Sequence, residues 1–211
     1  MKQDRLKTIL TILAVLAVLT GLRLLLKEAV FLALGRTPSS DRVASAIAMA
    51  LLTVGGLLVC RFKRMPLKVF PERWTIWYTL ATVVAGALLV ATPILTRDAK
   101  PFALFLLVYS AVLTPVFEEL IFRGYVWERL ETAFASKWAA YLLSTVLFAL
   151  WHFTYVDSLS LRVHADALGN AMLWKAITGL GFGAVLGFLR VFARNCYATM
   201  LLHGVMNIFG R

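Results

Sequence analysis

The chain has 211 residues, 61% of them hydrophobic, against roughly 45–50% in a soluble domain. Several apolar runs reach about 20 residues, the length that crosses a bilayer, so the composition excludes a soluble enzyme and leaves no room for a separate soluble domain. The formal net charge of +11 does not indicate nucleic-acid binding, because the basic residues lie in short clusters between apolar runs, as in membrane anchoring. The expected surroundings are a lipid bilayer, with no nucleic acid as partner.

Three apolar runs fill the first half of the chain. The first, residues 6–26, follows a basic start, is long for a signal peptide and precedes no small-x-small cleavage site, so we predict a retained span. The second covers residues 43–60 and ends in a basic loop. The third covers residues 74–95 and opens with aromatic residues typical of the membrane interface. Residues 1–100 thus form three N-terminal spans without a recognisable motif.

The second half predicts four more spans. The fourth starts near Pro101, a favourable first-turn residue, and continues as an amphipathic extension. The fifth covers residues 138–153 and is followed by a polar loop, residues 154–170. The sixth span covers residues 171–189 and the seventh residues 195–209. In the sixth span, glycines at four-residue spacing predict that a neighbouring helix approaches closely: these are Gly179, Gly183 and Gly187.

The predicted fold is all-α, a polytopic transmembrane helical bundle of about seven spans that forms a single integral membrane domain, residues 1–211. Loops that connect successive spans lie on alternating sides of the membrane. The segments on the same side as the N-terminus hold 13 of the 22 Lys and Arg residues, which favours a cytoplasmic N-terminus. We expect a multi-pass protein of the cell membrane, the inner membrane of a bacterium. Arg23 and Lys27 do not fit, because they end the first span on the opposite side.

Charged residues interrupt the fourth span in TPVFEELIFRGYVWER, residues 114–129. A charge inside a span costs about 2.5–3.5 kcal/mol on insertion scales, so it is normally kept for a use. Glu119 and Arg123 have i to i+4 spacing with the acid first, which favours an ion pair. Glu118 lies about 100° around the helix and has the apolar Phe122 one turn on. Without a local ionic partner, Glu118 is the predicted base, and Glu119 is its support.

Two further polar pairs lie inside apolar spans. The fifth span contains Phe148 and His152 in FALWH, and the seventh contains His203 and Asn207 in HGVMN. Four-residue spacing places His203 and Asn207 on one helix face, so both can contact one small group. Together with the carboxylates, these residues predict an active site among spans 4, 5 and 7.

The depths of these residues agree if spans 4 and 5 form an antiparallel hairpin that turns at residues 135–136. Glu118 and His152 are then equally far from the turn, about 25 Å at 1.5 Å per residue. His203 lies about 13 Å along its helix from the start of the seventh span, which begins on the same side of the membrane as the hairpin turn. Pro115, one turn before Glu118, removes a helical hydrogen bond, which predicts a kink that admits water or substrate.

The three motifs resemble those of a known family. EELIFRG, FALWH and HGVMN are similar, in this order, to the EExxxR, FxxxH and HxxxN motifs of the CPBP family, which comprises CAAX proteases and bacteriocin-processing enzymes and is also called Abi. The resemblance covers residues 101–209, the expected catalytic core. It implies a glutamate-type intramembrane endopeptidase without metal or cofactor, on an all-helical fold like that of the Ras-converting enzyme.

The resemblance also implies a substrate class and residue roles. The substrate is a membrane-anchored protein or peptide precursor, such as a bacteriocin leader or a C-terminal sorting segment, cut for maturation or sorting. The implied roles are activation of water by Glu118 and His152, stabilisation of the oxyanion by His203 and Asn207, and support by Glu119, Arg123 and Phe148.

Three alternatives remain from the residues themselves. Two histidines and a glutamate can also ligate zinc with water in the open position, although HExxH is absent. Intramembrane acids and histidines also mark the ion paths of transporters, although no internal repeat is seen. The third alternative is a binding protein, such as an immunity factor. His164 and Asp166 in the polar loop resemble a metal-ligand pair, but such neighbours are more often solvated, so no metal site is predicted.

Overall fold

The computed structural model describes residues 2–210, with side chains from residue 3 onwards. Within this range the chain forms seven helices: α1 (Lys2–Leu34), α2 (Pro38–Phe62), α3 (Ile76–Leu95), α4 (Pro101–Phe134), α5 (Lys137–Leu159), α6 (Ala165–Ala193) and α7 (Cys196–Phe209). The first six are long and apolar enough to cross a membrane, and α7 is a shorter apolar helix. The predicted all-α membrane bundle of about seven spans is confirmed.

Helix α4 changes twice along its length from an α-helix to the wider π-helix. It is π-helical at Tyr109–Leu113 and again at Leu120–Val126, and the α-helical segment between them, Thr114–Glu119, carries both carboxylates. Single π-helical turns are frequent at functional sites. The first wide turn ends just before Pro115, where the missing N–H was expected to disturb the helix.

The predicted hairpin is present, but the predicted loop after it is wrong. Ala135 takes a left-handed conformation with φ 50°, and Ser136 caps α5 by accepting a hydrogen bond from the Ala139 N–H at 3.3 Å. Residues 154–170 are largely helical, because α5 continues through a 3-10 turn, His152–Tyr155, to Leu159, and α6 already begins at Ala165. Polar residues are stable in helix there because α1 and α2 supply their partners.

The core lies between α4 and α5. Phe122 meets the rings of Phe148 and Trp151 edge to face at centroid distances of 5.1 and 5.8 Å. Phe117, five residues before Phe122, also contacts Trp151. These four buried aromatic residues hold the two helices in register, so that the carboxylates and His152 face the same space.

Helix α6 packs closely on α5 through its glycines, as predicted. An added Cβ at Gly179 would stand 2.6 Å from the His152 ring, and one at Gly187 would stand 2.8 Å from the Tyr141 ring. At Gly183, the Thr145 side chain would be 3.1 Å away. Only glycine allows this approach without displacing side chains.

Helix α7 is fixed at its start by the loop after α2. The Cys196 and Tyr197 N–H groups donate to the carbonyl groups of Lys68 and Val69 at 3.0 and 2.8 Å. Asn195 caps α7 by accepting a hydrogen bond from the Ala198 N–H at 3.1 Å. These bonds set the depth at which the His203 side chain lies.

Arg23 and Lys27, which did not fit the predicted orientation, are 0% and 1% exposed. The Arg23 guanidinium lies 3.0 Å from Asp157, and the Lys27 ammonium lies 2.6 Å from Asp41. Lys27 also pairs with Asp157, and Arg162 pairs with Asp41. We call these five residues the α1 ion network. It joins α1 to α2 and to the end of α5, so the charges of Arg23 and Lys27 are buried and paired instead of facing a membrane surface.

Removing Lys27 from the α1 ion network should destabilise the fold. Lys27→Met takes a counter-ion from the buried Asp41 and from the partly buried Asp157, and breaking a buried pair in this way costs about 3–5 kcal/mol. Equilibrium unfolding in mixed micelles measures the loss. The matched control is Lys137→Met, which removes an exposed lysine and should change the unfolding free energy by no more than about 0.5 kcal/mol. Equal effects of the two variants would show that the network does not stabilise the fold.

Candidate active site

Glu118 is 3% exposed, and its two carboxylate oxygens face different helices. Oε1 accepts a hydrogen bond of 2.7 Å from the Tyr155 hydroxyl on α5. Oε2 lies 3.8 Å from His203 Nε2 on α7. The partners of Glu118 therefore come from distant parts of the sequence, and the local comparison with Phe122 did not reveal them.

Glu119 forms the ion pair that its spacing predicted. Its Oε1 lies 3.1 Å from Arg123 Nη1 and 2.9 Å from His203 Nδ1, and both Glu119 and Arg123 are 0% exposed. Arg123 also donates to the Gly183 carbonyl on α6 at 3.1 Å, and its guanidinium lies 4.4 Å above the Phe148 ring. The pair thus connects α4 with α5, α6 and α7.

The His203 ring contacts both carboxylates. Nδ1 is bound to Glu119, and Nε2 is directed towards Glu118. The rings of Phe148 and Phe182 cover the imidazole edge to face, with centroid distances of 6.1 and 5.7 Å. Because the carboxylate fixes one nitrogen, the other has a defined position beside Glu118.

His152 lies at the start of the 3-10 turn of α5. Its Nδ1 is 2.8 Å from the Phe148 carbonyl oxygen. Since a carbonyl only accepts, Nδ1 carries the proton, and in the neutral ring Nε2 keeps its lone pair for a hydrogen bond to water. The charge of Glu118 acts on His152, and the rings of His152 and Tyr155 lie 6.0 Å apart.

Asn207 lies one turn after His203 and contacts α4. Its Nδ2 donates to the Ser110 carbonyl, at the first wide turn, with a length of 2.8 Å. Between them, Gly204 allows α7 to approach α4: an added Cβ would be 2.3 Å from the Ala111 carbonyl oxygen. The amide has two N–H groups, so one of them is left over from the contact with Ser110.

The structure therefore brings most of the predicted residues together. His203 lies beside Glu118 and Glu119, and Arg123 joins this group through its ion pair with Glu119. His152 joins them through Phe148 and Tyr155, and Asn207 contacts the α4 backbone at Ser110, eight residues before Glu118. Outside this group, His164 and Asp166 are exposed, and within the part of the chain that the structure describes no cluster of three or more His, Cys, Asp or Glu is arranged to hold a metal ion.

Tyr155 is the site residue that the sequence did not indicate. Its hydroxyl donates to Glu118 and accepts a hydrogen bond of 2.9 Å from Trp151 Nε1. The Arg23 guanidinium of the α1 ion network lies 4.8 Å from the centre of its ring. Its position three residues after His152 places both side chains on the same face of a helix, which could have indicated a shared site. From the sequence, Tyr155 was placed in a polar loop, where this spacing has no such meaning.

Tyr155→Phe should slow peptide cleavage roughly 10- to 100-fold, because a hydrogen bond to a charged group contributes about 1.5–3 kcal/mol. The measurement is kcat for the purified variant in proteoliposomes. The matched control is Tyr141→Phe, which removes a hydroxyl about four turns earlier on α5 and should leave kcat unchanged. If Tyr155→Phe cleaves as fast as wild type, the hydroxyl does not position Glu118.

An apolar cavity of about 280 Å³ lies between α3, α4 and α7. Its lining includes Val116, two residues before Glu118, and Gly204, the neighbour of His203. The cavity therefore adjoins the helices that carry the site, and its lining suits an aliphatic group.

Comparison with known families decides the class of protein. The model of the family described as type II CAAX prenyl endopeptidase, Rce1-like, matches residues 100–209, slightly more than half of the chain. The chain belongs to this Rce1-like family. No curated protein and no solved structure matches the chain.

Membership in the Rce1-like family confirms the resemblance found in the three motifs and makes the chain a multi-pass membrane protease. It favours a hydrolase over the transporter and the immunity protein. The matched segment coincides with helices α4–α7, which carry Glu118, His152, His203 and Asn207. Helices α1–α3 lie outside it, although α1 reaches the site through Arg23.

Proposed function

We propose that the chain is a glutamate-type intramembrane endopeptidase in which the Glu118 carboxylate activates a water molecule against a peptide carbonyl. The observation that carries the proposal is the arrangement of Glu118 itself. It is a buried carboxylate held by the Tyr155 hydroxyl and directed towards His203, and its charge acts on His152, whose Nε2 is free. A carboxylate in this setting is suited to take a proton from water.

In the proposed reaction, a water molecule binds between Glu118 and His152 Nε2. Glu118 takes one proton as the water oxygen attacks the carbonyl carbon, and the carbonyl oxygen becomes an oxyanion. The second N–H of Asn207 and the Nε2–H of a doubly protonated His203, whose Nδ1–H stays on Glu119, donate to this oxyanion. Glu118 then gives its proton to the amide nitrogen, the C–N bond breaks, and a carboxylic acid and an amine result.

Glu119 and Arg123 would support this reaction without contacting the substrate. The Glu119 carboxylate fixes the His203 ring, and the Arg123 guanidinium neutralises Glu119 and ties it to α6. Phe148 packs against Arg123, His152 and His203. Together these three residues would keep the two histidines in place.

The proposed substrate is a membrane-anchored protein or peptide precursor that is cut for maturation or removal of a sorting signal. A site inside the bundle, beside an apolar cavity, favours a substrate that carries an apolar segment or a lipid. The family description names CAAX prenyl peptides, so a prenylated peptide of this type is the first candidate to test. Helices α4–α7 would form the catalytic core, with α1 contributing through Arg23.

Mass spectrometry of protein termini tests the proposal in cells. Wild type, Glu118→Gln and His152→Ala are expressed at matched levels, and new termini of membrane proteins are compared. We expect termini that appear with wild type and are absent with both variants, while all three proteins remain folded. Termini that persist with Glu118→Gln would show that Glu118 is not the base.

A further inference from the structure

A polar cavity of about 290 Å³ lies at the end of the bundle that holds the hairpin turn, between the loop after α2, the end of α4, the start of α5 and the end of α6. Five of its seven lining residues are charged, and we call this cavity the basic pocket: Lys68, Glu131, Lys137, Arg190 and Arg194. A water molecule takes about 30 Å³ in the liquid, so the pocket has room for a larger polar group.

The basic pocket is separate from the candidate active site. Lys137 lies 15 residues before His152, which is about 22 Å along α5. None of the residues that line the pocket takes part in the proposed reaction. The pocket is therefore a second polar site, at one end of the bundle.

The basic pocket keeps an excess of positive charge after the carboxylates of its lining and of its ion pairs are counted. Its lining holds four cations and one carboxylate. A second carboxylate, Glu128, pairs with Lys68 at 2.9 Å and with Arg190 at 2.7 Å. Four positive and two negative charges leave a surplus of two. Lys137 and Arg194 supply it, since neither forms an ion pair within residues 3–210.

Arg190 is the buried donor of the basic pocket, with an exposed fraction of 2%. Its Nε donates to the Arg123 carbonyl at 3.0 Å, and its Nη2 donates to Glu128. Within the described chain, Nη1 has no hydrogen-bond partner. A guanidinium that is held in this way and keeps free N–H groups is suited to donate to phosphate oxygens.

The basic pocket lies at the level of the membrane interface. Lys137 is the first residue of α5, Arg194 directly follows α6, and both are exposed. The Lys137 ammonium lies 5.8 Å from the ring centre of Trp138 and 5.9 Å from that of Phe192, and both rings are exposed. Exposed aromatic rings beside basic side chains are typical of the level of the lipid headgroups.

The start of α1 reaches the same end of the bundle, because Arg5 Nε donates to the Ala133 carbonyl beside the hairpin turn. The basic pocket is thus on the side of the N-terminus, which the distribution of Lys and Arg predicts to be cytoplasmic. The cytoplasmic leaflet is the one whose surface carries anionic lipids.

We propose that the basic pocket binds an anionic phosphate group, and that this group belongs to the headgroup of a membrane lipid. Basic pockets between membrane helices on the cytoplasmic side suit anionic headgroups. A phosphatidylglycerol headgroup brings one uncompensated negative charge to the surplus cations. Phosphatidylcholine carries the same phosphate together with a choline cation, which the surplus cations repel. Free inorganic phosphate has the same chemistry, but it is not concentrated at the membrane interface.

A bound headgroup should also stabilise the fold. The cations of the basic pocket come from the loop after α2, from α5 and from α6, so one phosphate between them connects three segments. A ligand that binds only the folded state raises the unfolding midpoint.

Lipid retention and thermal unfolding of the full-length protein in a neutral detergent test the proposal. Phosphatidylglycerol, phosphatidylcholine and inorganic phosphate are added at matched concentrations, and retained lipid is measured by native mass spectrometry. We expect wild type to retain phosphatidylglycerol, to unfold at a higher temperature with it, and to bind phosphatidylcholine at least about tenfold more weakly. An equal rise of the midpoint with inorganic phosphate would overturn the lipid as ligand. Equal retention of the two lipids, or of neither, would overturn the basic pocket as an anion site.

Two double variants separate the basic pocket from the general charge of this surface. Lys137→Gln with Arg194→Gln should weaken phosphatidylglycerol binding at least about tenfold, because each basic residue near an anionic surface contributes roughly a factor of five. Without lipid it should unfold as wild type, since neither side chain has an ion pair to lose within residues 3–210. The matched control, Arg61→Gln with Lys63→Gln, removes the same charge from exposed positions at the end of α2, outside the pocket. It should bind as wild type. Equal losses in both double variants would show attraction by surface charge alone and contradict the proposal.

Discussion

Glu118→Gln should abolish peptide cleavage and leave the unfolding midpoint unchanged, whereas Glu119→Gln should reduce both. Glutamine keeps the shape of Glu118 and still accepts the hydrogen bond from Tyr155, but it is not a base. Loss of a general base costs about 10²–10⁴-fold in rate. We therefore expect kcat of Glu118→Gln to fall by at least about 100-fold.

Glu119 differs because it neutralises Arg123 in a fully buried pair. Glu119→Gln leaves the guanidinium without a counter-ion, and removing one partner of a buried pair costs about 3–5 kcal/mol. It also releases His203 Nδ1 from its charged partner. Thermal unfolding in detergent and cleavage in proteoliposomes, measured on the same preparations, separate the two effects.

The assignment of the two carboxylates would be wrong if their effects were exchanged. A folded, inactive Glu119→Gln together with an active Glu118→Gln would make Glu119 the base. Equal losses of stability in both variants would mean that the carboxylates act as one structural unit.

Gly179→Ala should reduce cleavage by about two orders of magnitude, since a displacement of about 1 Å can have an effect of that size. The added Cβ would stand 2.6 Å from His152 Nδ1 and 3.0 Å from its Cγ, so the whole ring has to move. This movement breaks the bond from Nδ1 to the Phe148 carbonyl and displaces Nε2 from the position in which it is proposed to hold the water.

Gly181→Ala is the matched control on the same helix. An added Cβ at Gly181 meets nothing within 4 Å, and alanine favours a helix over glycine by about 1 kcal/mol. Gly181→Ala should therefore cleave as wild type and unfold at the same or a higher temperature. Wild-type activity of Gly179→Ala would show that the position of the His152 ring does not matter for the reaction.

Local spacing was sufficient to predict part of this arrangement. The i to i+4 spacing of Glu119 and Arg123 gave their ion pair, and the glycine spacing of α6 gave its packing on α5. The hairpin at residues 135–136 followed from the position of the polar residues between two apolar runs. In each case the partners lie on one helix or on helices adjacent in sequence.

Contacts between distant segments were not predictable in this way. Asp157 is polar, so hydropathy placed it in a loop, but Arg23 and Lys27 pair with it and the helix continues through it. Tyr155 was not predicted as a site residue for the same reason, because it was also placed in the loop. Arg23 itself was taken for a misplaced membrane anchor, because nothing in its local sequence indicates a partner more than a hundred residues away.

The central claim is that Glu118, and not a metal ion, activates the water. The most direct measurement is cleavage of one farnesylated peptide by purified wild type and Glu118→Gln, after dialysis against a chelator and again after addition of zinc. The claim predicts that wild type keeps its full rate at every stage and that Glu118→Gln has no measurable rate. A wild-type rate that is lost on chelation and restored by zinc, or cleavage by Glu118→Gln at the wild-type rate, would contradict it.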